Sequence, residues 1–352
     1  METKQQLSPV HDLYPQSVSG MSFAGWRMPR DFDGILREHR AVRSAAGLFD
    51  ISHMGRLIIR GADAAAQLQQ LFSRSLVEAE VGRALYGFFL DAEGRALDDD
   101  IVYIRSPEEL WLVVNAAARD KIYLYLRGNL PELEVKDVTH ETVLFALQGP
   151  EASSYYDLLP AELAPPEKPF RASWDDDKMI ATTGYTGEAG CEIWLPVESG
   201  RDLFQQFTDR GVQLCGLGAR DSLRLEMGFP LHGNELTEEI DPVTAGLVNF
   251  IDWEHEFVGR EALEKIHDGG PAKELRGLVA AGRRSPRQGQ KIRLAGEEDP
   301  LGHVTSGGFS PLLKQGVAIG LLPADLPGDE TLEVNIRSTW HTVNQKNFPL
   351  HQ

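Results

Sequence analysis

ALYGFFL (84–90), DAEGRALDDD (91–100), IVYIR (101–105) and LWLVVNA (110–116) follow one another almost without a gap. Short apolar runs rich in β-branched and aromatic residues, the first two joined by a Gly94-containing, hairpin-like connection, predict strands. Helical patterns flank them. Upstream, Gly61-Ala62-Asp63 leads into AAAQLQQLF, with Asp63 as the expected N-cap; downstream a helix is expected over about 117–128. Strands and helices in this mixed order predict an α+β lobe with a mostly antiparallel sheet.

Further out, GILREHRAVRSAAGLF (34–49) puts Ile35, Val42, Ala45 and Ala46 near one helical face and stops at Gly47. LFDISHMGRLIIRG reads as an extended segment ending in a turn. Residues 140–270 predict a second α+β lobe. Its clearest part is MIATTGYTGEAGCEIWL (179–195), two strands around the loop GYTGEAG, whose glycines permit positive φ and close backbone approach. Helical patterns follow at 200–210 and 217–227. Past Gly269-Gly270-Pro271, the runs LRGLVAAG, KIRLAG, GVAIGLL and LEVNIRSTWHTV alternate with turns, as in a small all-β barrel or sandwich. No internal repeat is visible.

A chain of 352 residues is too long for one ordinary core and implies two or three domains. With 42% hydrophobic and 25% charged residues it has the balance of a folded protein. The net charge of −18 argues against nucleic acid as the main partner, yet leaves room for an anionic small ligand, which one local Arg can decide. The two cysteines, Cys191 and Cys215, form no zinc pattern and fit a reducing compartment. No apolar run reaches the roughly 18 residues a bilayer requires, and METKQQLSPVHDLYPQ has no signal-peptide core, so no membrane and a cytoplasmic location are expected. There is no Walker A loop, GxGxxG, HExxH or histidine pair at metal spacing. Nothing supports a metal or nucleotide cofactor.

A few constellations remain. Asp98-Asp99-Asp100 reads on its own as a solvated turn. Strand alternation, however, sends Asp99 to the face of Ile101 and Tyr103, and Asp98 and Asp100 to that of Val102. We expect one carboxylate to be enclosed while the others see water, able to hold a cation or accept a proton. Asn115 reads as a strand-end residue satisfying backbone groups. Glu192, inside CEIWL, reads either as a solvent-facing edge residue or as a costly buried acid. Arg220 opens ARDSLRLEMG and suits an ion pair with Asp221 or Glu226, or a forked donor for a carboxylate or polar heterocycle. Arg283, Arg284, Arg287, Lys291 and Arg293 form the main cationic run. It reads as a solvated loop or as a docking patch for an acidic partner.

FAGWRMP (23–29), LFDISHM (48–54), LDDDIV (97–102), LVVNAA (112–117), LQGP (147–150), TTGYTGEAGCEI (182–193), GLGARDSLRLEMG (216–228), FVGREAL (257–263) and TSGGFSP (305–311) occur in the order and spacing of one family. The chain resembles the glycine cleavage T-protein, or aminomethyltransferase, family from about residue 20 to 345. The resemblance implies an α+β fold, a three-domain cloverleaf around a folate pocket with a C-terminal all-β barrel. Domain 1 would be discontinuous (1–50 and 140–270), followed by domain 2 (51–139) and the barrel (271–352). It implies transfer of a one-carbon unit from an aminomethyl group on the lipoyl arm of H-protein to tetrahydrofolate, with release of ammonia and no metal. The essential aspartate falls on Asp99, and folate contacts on Met54, Tyr86, Val113, Asn115, Tyr185, Glu192 and Arg220. Arg283, Arg284 and Arg287 would dock the partner.

The match departs from the family at several points. Asp100 stands where the family usually has Leu, and Leu231-His232-Gly233 where it has LYG. A family tryptophan aligns with Asn249, and NFPLHQ lacks the family's C-terminal tyrosine. Relatives with the same fold demethylate small methylated compounds with tetrahydrofolate, and others bind folate without catalysing a transfer. The altered positions bear on that choice of substrate. The cysteine motif of the iron–sulfur-assembly relatives is absent from FVGREAL.

Overall fold

A computed structural model describes residues 5–16 and 18–351. Residues 1–4, the start of the polar N-terminal stretch, lie outside the described residues, as do Ser17 and Gln352. The fold is α+β with a closed C-terminal barrel. By contacts the chain forms two compact units. The first comprises the described residues of Met1–Phe89, Leu97–Arg220 and Asp252–Val258; the second comprises Leu90–Ala96, Asp221–Ile251 and those of Gly259–Gln352.

Within the first unit, β1 (Gln6–Leu7), β2 (Ser19–Phe23) and β3 (Trp26–Asp31) form a small sheet, order β1-β3-β2. The helix expected over 34–49 is α1 (Ile35–Ser44). It ends early because Gly47 already starts β4 (Gly47–Asp50), where a Cβ would crowd Val42 and Cys215. Then come β5 (Gly55–Arg60) and α2 (Ala64–Leu68). Asp63 occupies the N-cap position but, with φ +55°, makes no side-chain cap, contrary to expectation, and α2 stops far short of Phe72.

The meander is present as β6 (Ala84–Leu90), β7 (Ala96–Ser106) and β8 (Glu109–Val114). β7 is longer than predicted: the three aspartates are strand, not turn, and the reversal is confined to 91–95, where the Asp91 carboxylate accepts the Arg95 N–H. α3 (Arg119–Asn129) and β9 (Glu134–Asp137) complete a sheet of order β6-β7-β8-β5-β9. Val102, Ile104, Leu110, Leu112 and Val114 pack beneath α2 and α3 on one face.

The second sheet runs β11-β12-β13-β10-β4-β14. It adds β10 (Thr142–Gln148), β11 (Ala172–Asp175), β12 (Lys178–Ala181), β13 (Gly190–Pro196) and β14 (Gln213–Cys215) to β4. α4 (Val197–Asp209) packs on it through Leu203, Phe204 and Phe207. The predicted pair around GYTGEAG is antiparallel, Met179 opposite Trp194. The two sheets meet where the Trp111 and Trp194 rings lie 4.6 Å apart, tilted by 48°. α5 (Leu217–Met227) carries Arg220.

In the second unit, α6 (Arg260–Gly269) precedes a closed barrel, not a sandwich. Its strands are β15 (Lys273–Ala280), β16 (Lys291–Leu294), β17 (Gly302–Ser310), β18 (Gln315–Pro323), β19 (Leu332–Ile336) and β20 (Thr339–Lys346). The Gly- and Ser-rich β17 was not legible as a strand; it pairs with β18 through a bulge at Val304/Ser306. Among the described residues no helix is long and apolar enough to cross a membrane.

Candidate functional site

One face of the five-stranded sheet carries Tyr86, Asp99, Ile101, Tyr103, Trp111 and Val113. The register sets Ile101 opposite Val113 and Tyr103 opposite Trp111, so these side chains form a continuous row. Asp99 stands at its open end, half-buried. The Tyr86 hydroxyl donates to Asp99 Oδ2 at 2.8 Å, and Asn115 Nδ2 donates to Asp99 Oδ1 at 3.0 Å. Both carboxylate oxygens are therefore held by neutral donors, which fix the rotamer without neutralising the charge. Burial, with the Asp99 charge beside it, pushes the Tyr86 phenol well above its usual pKa, so Tyr86 remains a donor.

Alternation places Asp99 with Ile101 and Tyr103 as expected, but the expected division of burial is reversed. Asp98 is 0% exposed and Asp100 1%, while Asp99 is the accessible one. The strand continues into Val102 and Ile104, which pack beneath α2 and α3 rather than facing water. Asp98 accepts the Asn115 backbone N–H at 3.0 Å and its Nδ2 at 2.9 Å. Asn115 thus ties β8 to Asp98, to Asp99 and to the Asp99 carbonyl, more than the backbone role expected of a strand-end residue.

The second sheet contributes Glu192, which is 5% exposed and not the solvent-facing edge residue that was one expectation. Its Oε2 accepts the Thr183 hydroxyl at 2.6 Å, and Thr183 Oγ1 lies 3.3 Å from the Tyr103 hydroxyl, so a hydrogen-bonded chain joins the sheets. The loop between β12 and β13 is pinned at both sides. Thr186 donates to Gln148 at 2.9 Å, and Arg43 donates to Thr186 O at 2.7 Å and to Glu188 at 2.9 Å. Gly190, at φ +151°, runs so close to the Leu147 carbonyl that a side chain there would collide with it. This loop presents Tyr185, over whose ring the Arg220 guanidinium lies at 4.7 Å.

Arg220 makes neither expected ion pair; Arg224 takes Asp221 instead, at 2.8 Å. Arg220 Nη1 is enclosed without a hydrogen-bond partner. Burial holds its pKa below the usual arginine value, partly offset by Glu192 and Tyr185. A forked cation with an unused donor is a ready receptor for an anionic or carbonyl oxygen. Beside it, His53 is 2% exposed; burial, with Arg220 and Arg56 nearby, pushes its pKa down to about 3. Met54 is half-buried, its carbonyl held by Arg56 Nη1 at 2.6 Å. Val113 is buried at the edge of the row.

All of these predicted residues lie in the first unit. Hydrogen bonds unite Tyr86, Asp99 and Asn115, and ring contact unites Tyr185 and Arg220. Sequence reasoning named Asp98 but expected it to see water, and it missed Thr183, His53 and Arg56; a basic residue inside the apolar run GRLIIRG was the available sign for the last. The basic residues belong to the second unit. Arg283 lies over Phe309, Arg284 meets His341 at 2.8 Å, and Arg287 donates to the Gly307 carbonyl. All three are exposed, whereas Arg293 pairs with Glu333 and stacks on Trp340. His232 is half-buried and Asn249 exposed in the same unit.

This architecture has relatives. The family model described as the GCVT N-terminal domain matches residues 13–255, and that of the glycine cleavage T-protein C-terminal barrel domain matches 273–350. An aminomethyltransferase of Synechococcus elongatus is 39% identical, over 97% of this chain and 95% of its own length. One from Aquifex aeolicus is 40% identical, over 85% of this chain and 81% of its own. The crystal structure of glycine cleavage system aminomethyltransferase T from Bartonella henselae superimposes with a TM-score of 0.92 at 31% identity, covering 99% of this chain and 98% of that one. Matched along nearly its whole length in both sequence and fold, the chain belongs to the glycine cleavage T-protein family.

Proposed function

We propose that this chain transfers the one-carbon unit of an aminomethyl group, carried on the lipoyl arm of H-protein, to tetrahydrofolate, releasing ammonia and leaving 5,10-methylenetetrahydrofolate. Membership of the aminomethyltransferase family makes it a transferase of glycine cleavage. The observation that carries the finer reading is Asp99, an ionisable carboxylate held at both oxygens by neutral donors on the accessible end of a sheet face.

In such a transfer, positive charge develops at the departing carbon and on the attacking folate nitrogen. A fixed anion stabilises both, and a preoriented one costs no reorganisation at the moment of reaction. Asp99 supplies it and accepts or relays the nitrogen's proton. Glu192 retains Oε1 beyond its Thr183 bond and can receive the paired N–H donors of the pterin edge. Arg220 offers its unused donor to a folate oxygen. Tyr86, Met54, Val113 and Tyr185 supply walls, and Asn115 a polar contact. The proposed domains are 1–50 with 140–270, 51–139 and 271–352. Sheet membership supports this division: β5 to β9 fall within 51–139, β4 and β10 to β14 outside it, and the barrel after 271. Arg283, Arg284 and Arg287 form the proposed docking patch for H-protein.

Turnover of aminomethyl-loaded, lipoylated H-protein with tetrahydrofolate, read as ammonia and methylene-folate, tests the reading. Asp99→Asn should bind folate and lose about 10²–10⁴ in rate. Full turnover in Asp99→Asn removes Asp99 from the chemistry. Folate binding without any turnover on H-protein moves the search to methylated small molecules.

A further inference from the structure

β7 carries three consecutive carboxyls, of which the middle one is the most accessible. Asp98 and Asp100 alternate with Asp99 along β7, in step with Val102 and Ile104, which pack beneath α2 and α3, and are 0% and 1% exposed. Their donors are unequally divided. Asp98 receives two N–H groups from Asn115, at 3.0 and 2.9 Å. Neither buried oxygen of Asp100 meets a hydrogen-bond donor, and the Asn115 N–H nearby is directed at Asp98 Oδ2. A buried carboxylate without a donor is costly, and two adjacent buried carboxyls share a proton rather than both ionise. The proton belongs on Asp100, the carboxyl without donors, whose O–H then has Asp98 as acceptor.

We infer that Asp100 is a positioning residue that holds a proton. As a neutral acid it lets Asp98 keep a single charge, which anchors Asn115 and, through Asn115 Nδ2, the Asp99 carboxylate. Among the described residues of the first unit, the groups facing Asp100 are Asp98 and Asp99 on its own strand, Tyr86 from β6 and the Asn115 N–H beyond β8. Burial first, then Asp98 and Asp99, raises its pKa well above the usual 3.8. The raised folded pKa means that its contribution to stability is complete below pH 3.8 and is lost as pH rises through the folded value. Loss of the proton would crowd a third charge onto the run and loosen the Asn115 grip on Asp99. The device therefore sets an upper pH limit on the site.

The role in turnover rests on the aminomethyl-transfer reading, but two of the three tests need no substrate. Asp100→Asn keeps a donor to Asp98 and cannot ionise; Asp100→Leu suits the apolar face and cannot ionise either. Infrared spectra at neutral pH should show a carboxylic-acid C=O stretch that Asp100→Asn abolishes. Stability from urea titrations should decline as pH rises above 3.8 more steeply in the wild type than in either variant. In kcat–pH profiles, each scaled to its own maximum, the upper-pH limb of both variants should move up by about one unit or more. A carboxylic-acid band that survives Asp100→Asn, or superimposable behaviour with rising pH in all three proteins, overturns the assignment. If the chain does not turn over H-protein, the infrared and stability arms still decide it.

Discussion

Tyr86 on β6 and Asn115 just past β8 bind the two oxygens of Asp99, and each helps to fix the carboxylate's rotamer. Tyr86→Phe removes one hydrogen bond to a charged group. At about 1.5–3 kcal/mol for such a bond, kcat should fall roughly 10- to 100-fold, with the fold intact by circular dichroism. His53 makes a prediction of opposite pH sense to that of Asp100. Its folded pKa of about 3 lies below the usual 6.5, so its contribution to stability is full above 6.5 and is lost as pH falls toward 3. His53→Gln should therefore lose less stability than wild type between pH 7 and 4 in urea titrations. An identical acid-side decline in both proteins would show that His53 titrates normally.

At the scale of elements, the strands can be read because their apolar runs are short and bounded, whereas the helix ends depend on close approaches. α4 lies on β10 with Gly200 against Val143, and a Cβ there would overlap the valine side chain. Gly200→Ala gains about 1 kcal/mol of helix propensity but incurs overpacking of about 1–3 kcal/mol. A net loss in urea unfolding is expected; a neutral or stabilising result would mean that Val143 rotates away. The same logic explains where one helix ends and one strand begins. α1 stops before Gly47 because β4 must pass between Val42 and Cys215, and the aspartate run is strand because it continues into Val102 and Ile104, which pack beneath α2 and α3. Cys215 and the two helices all lie far from these positions in sequence.

Across whole units, charge is placed sparingly inside and freely outside. Arg224 is 1% exposed and binds Glu235 at 2.9 Å, Ser306 at 2.7 Å and the Phe229 carbonyl at 3.1 Å, tying α5, the 229–235 segment and β17 together. Arg224→Met leaves Glu235 buried without its cation and should destabilise the second unit by about 3–5 kcal/mol, read by urea unfolding and by faster proteolysis within 228–251. Adding Glu235→Leu should recover part of the loss; no recovery would mean that packing, not charge, sets the cost. On the exposed side, a chain of net charge −18 still gathers Arg283, Arg284 and Arg287. Reversing Arg283 and Arg284 to Glu should raise KM for H-protein about 10-fold, fading at high salt, with folate affinity unchanged.

Local periodicity and collinear motifs are properties of the chain, so the sequence already carries the α+β class, the meander, the terminal β-rich lobe and the family. It also put Asp99, Ile101 and Tyr103 on one face, since alternation needs no knowledge of neighbours. Tertiary structure alone decided which face is dry, that Glu192 is enclosed, that Arg220 meets a tyrosine ring instead of an acid, and that β17 closes a barrel. Each of these depends on what lies across a gap of many residues, and burial and donor supply, which fix protonation, exist only after that gap is closed.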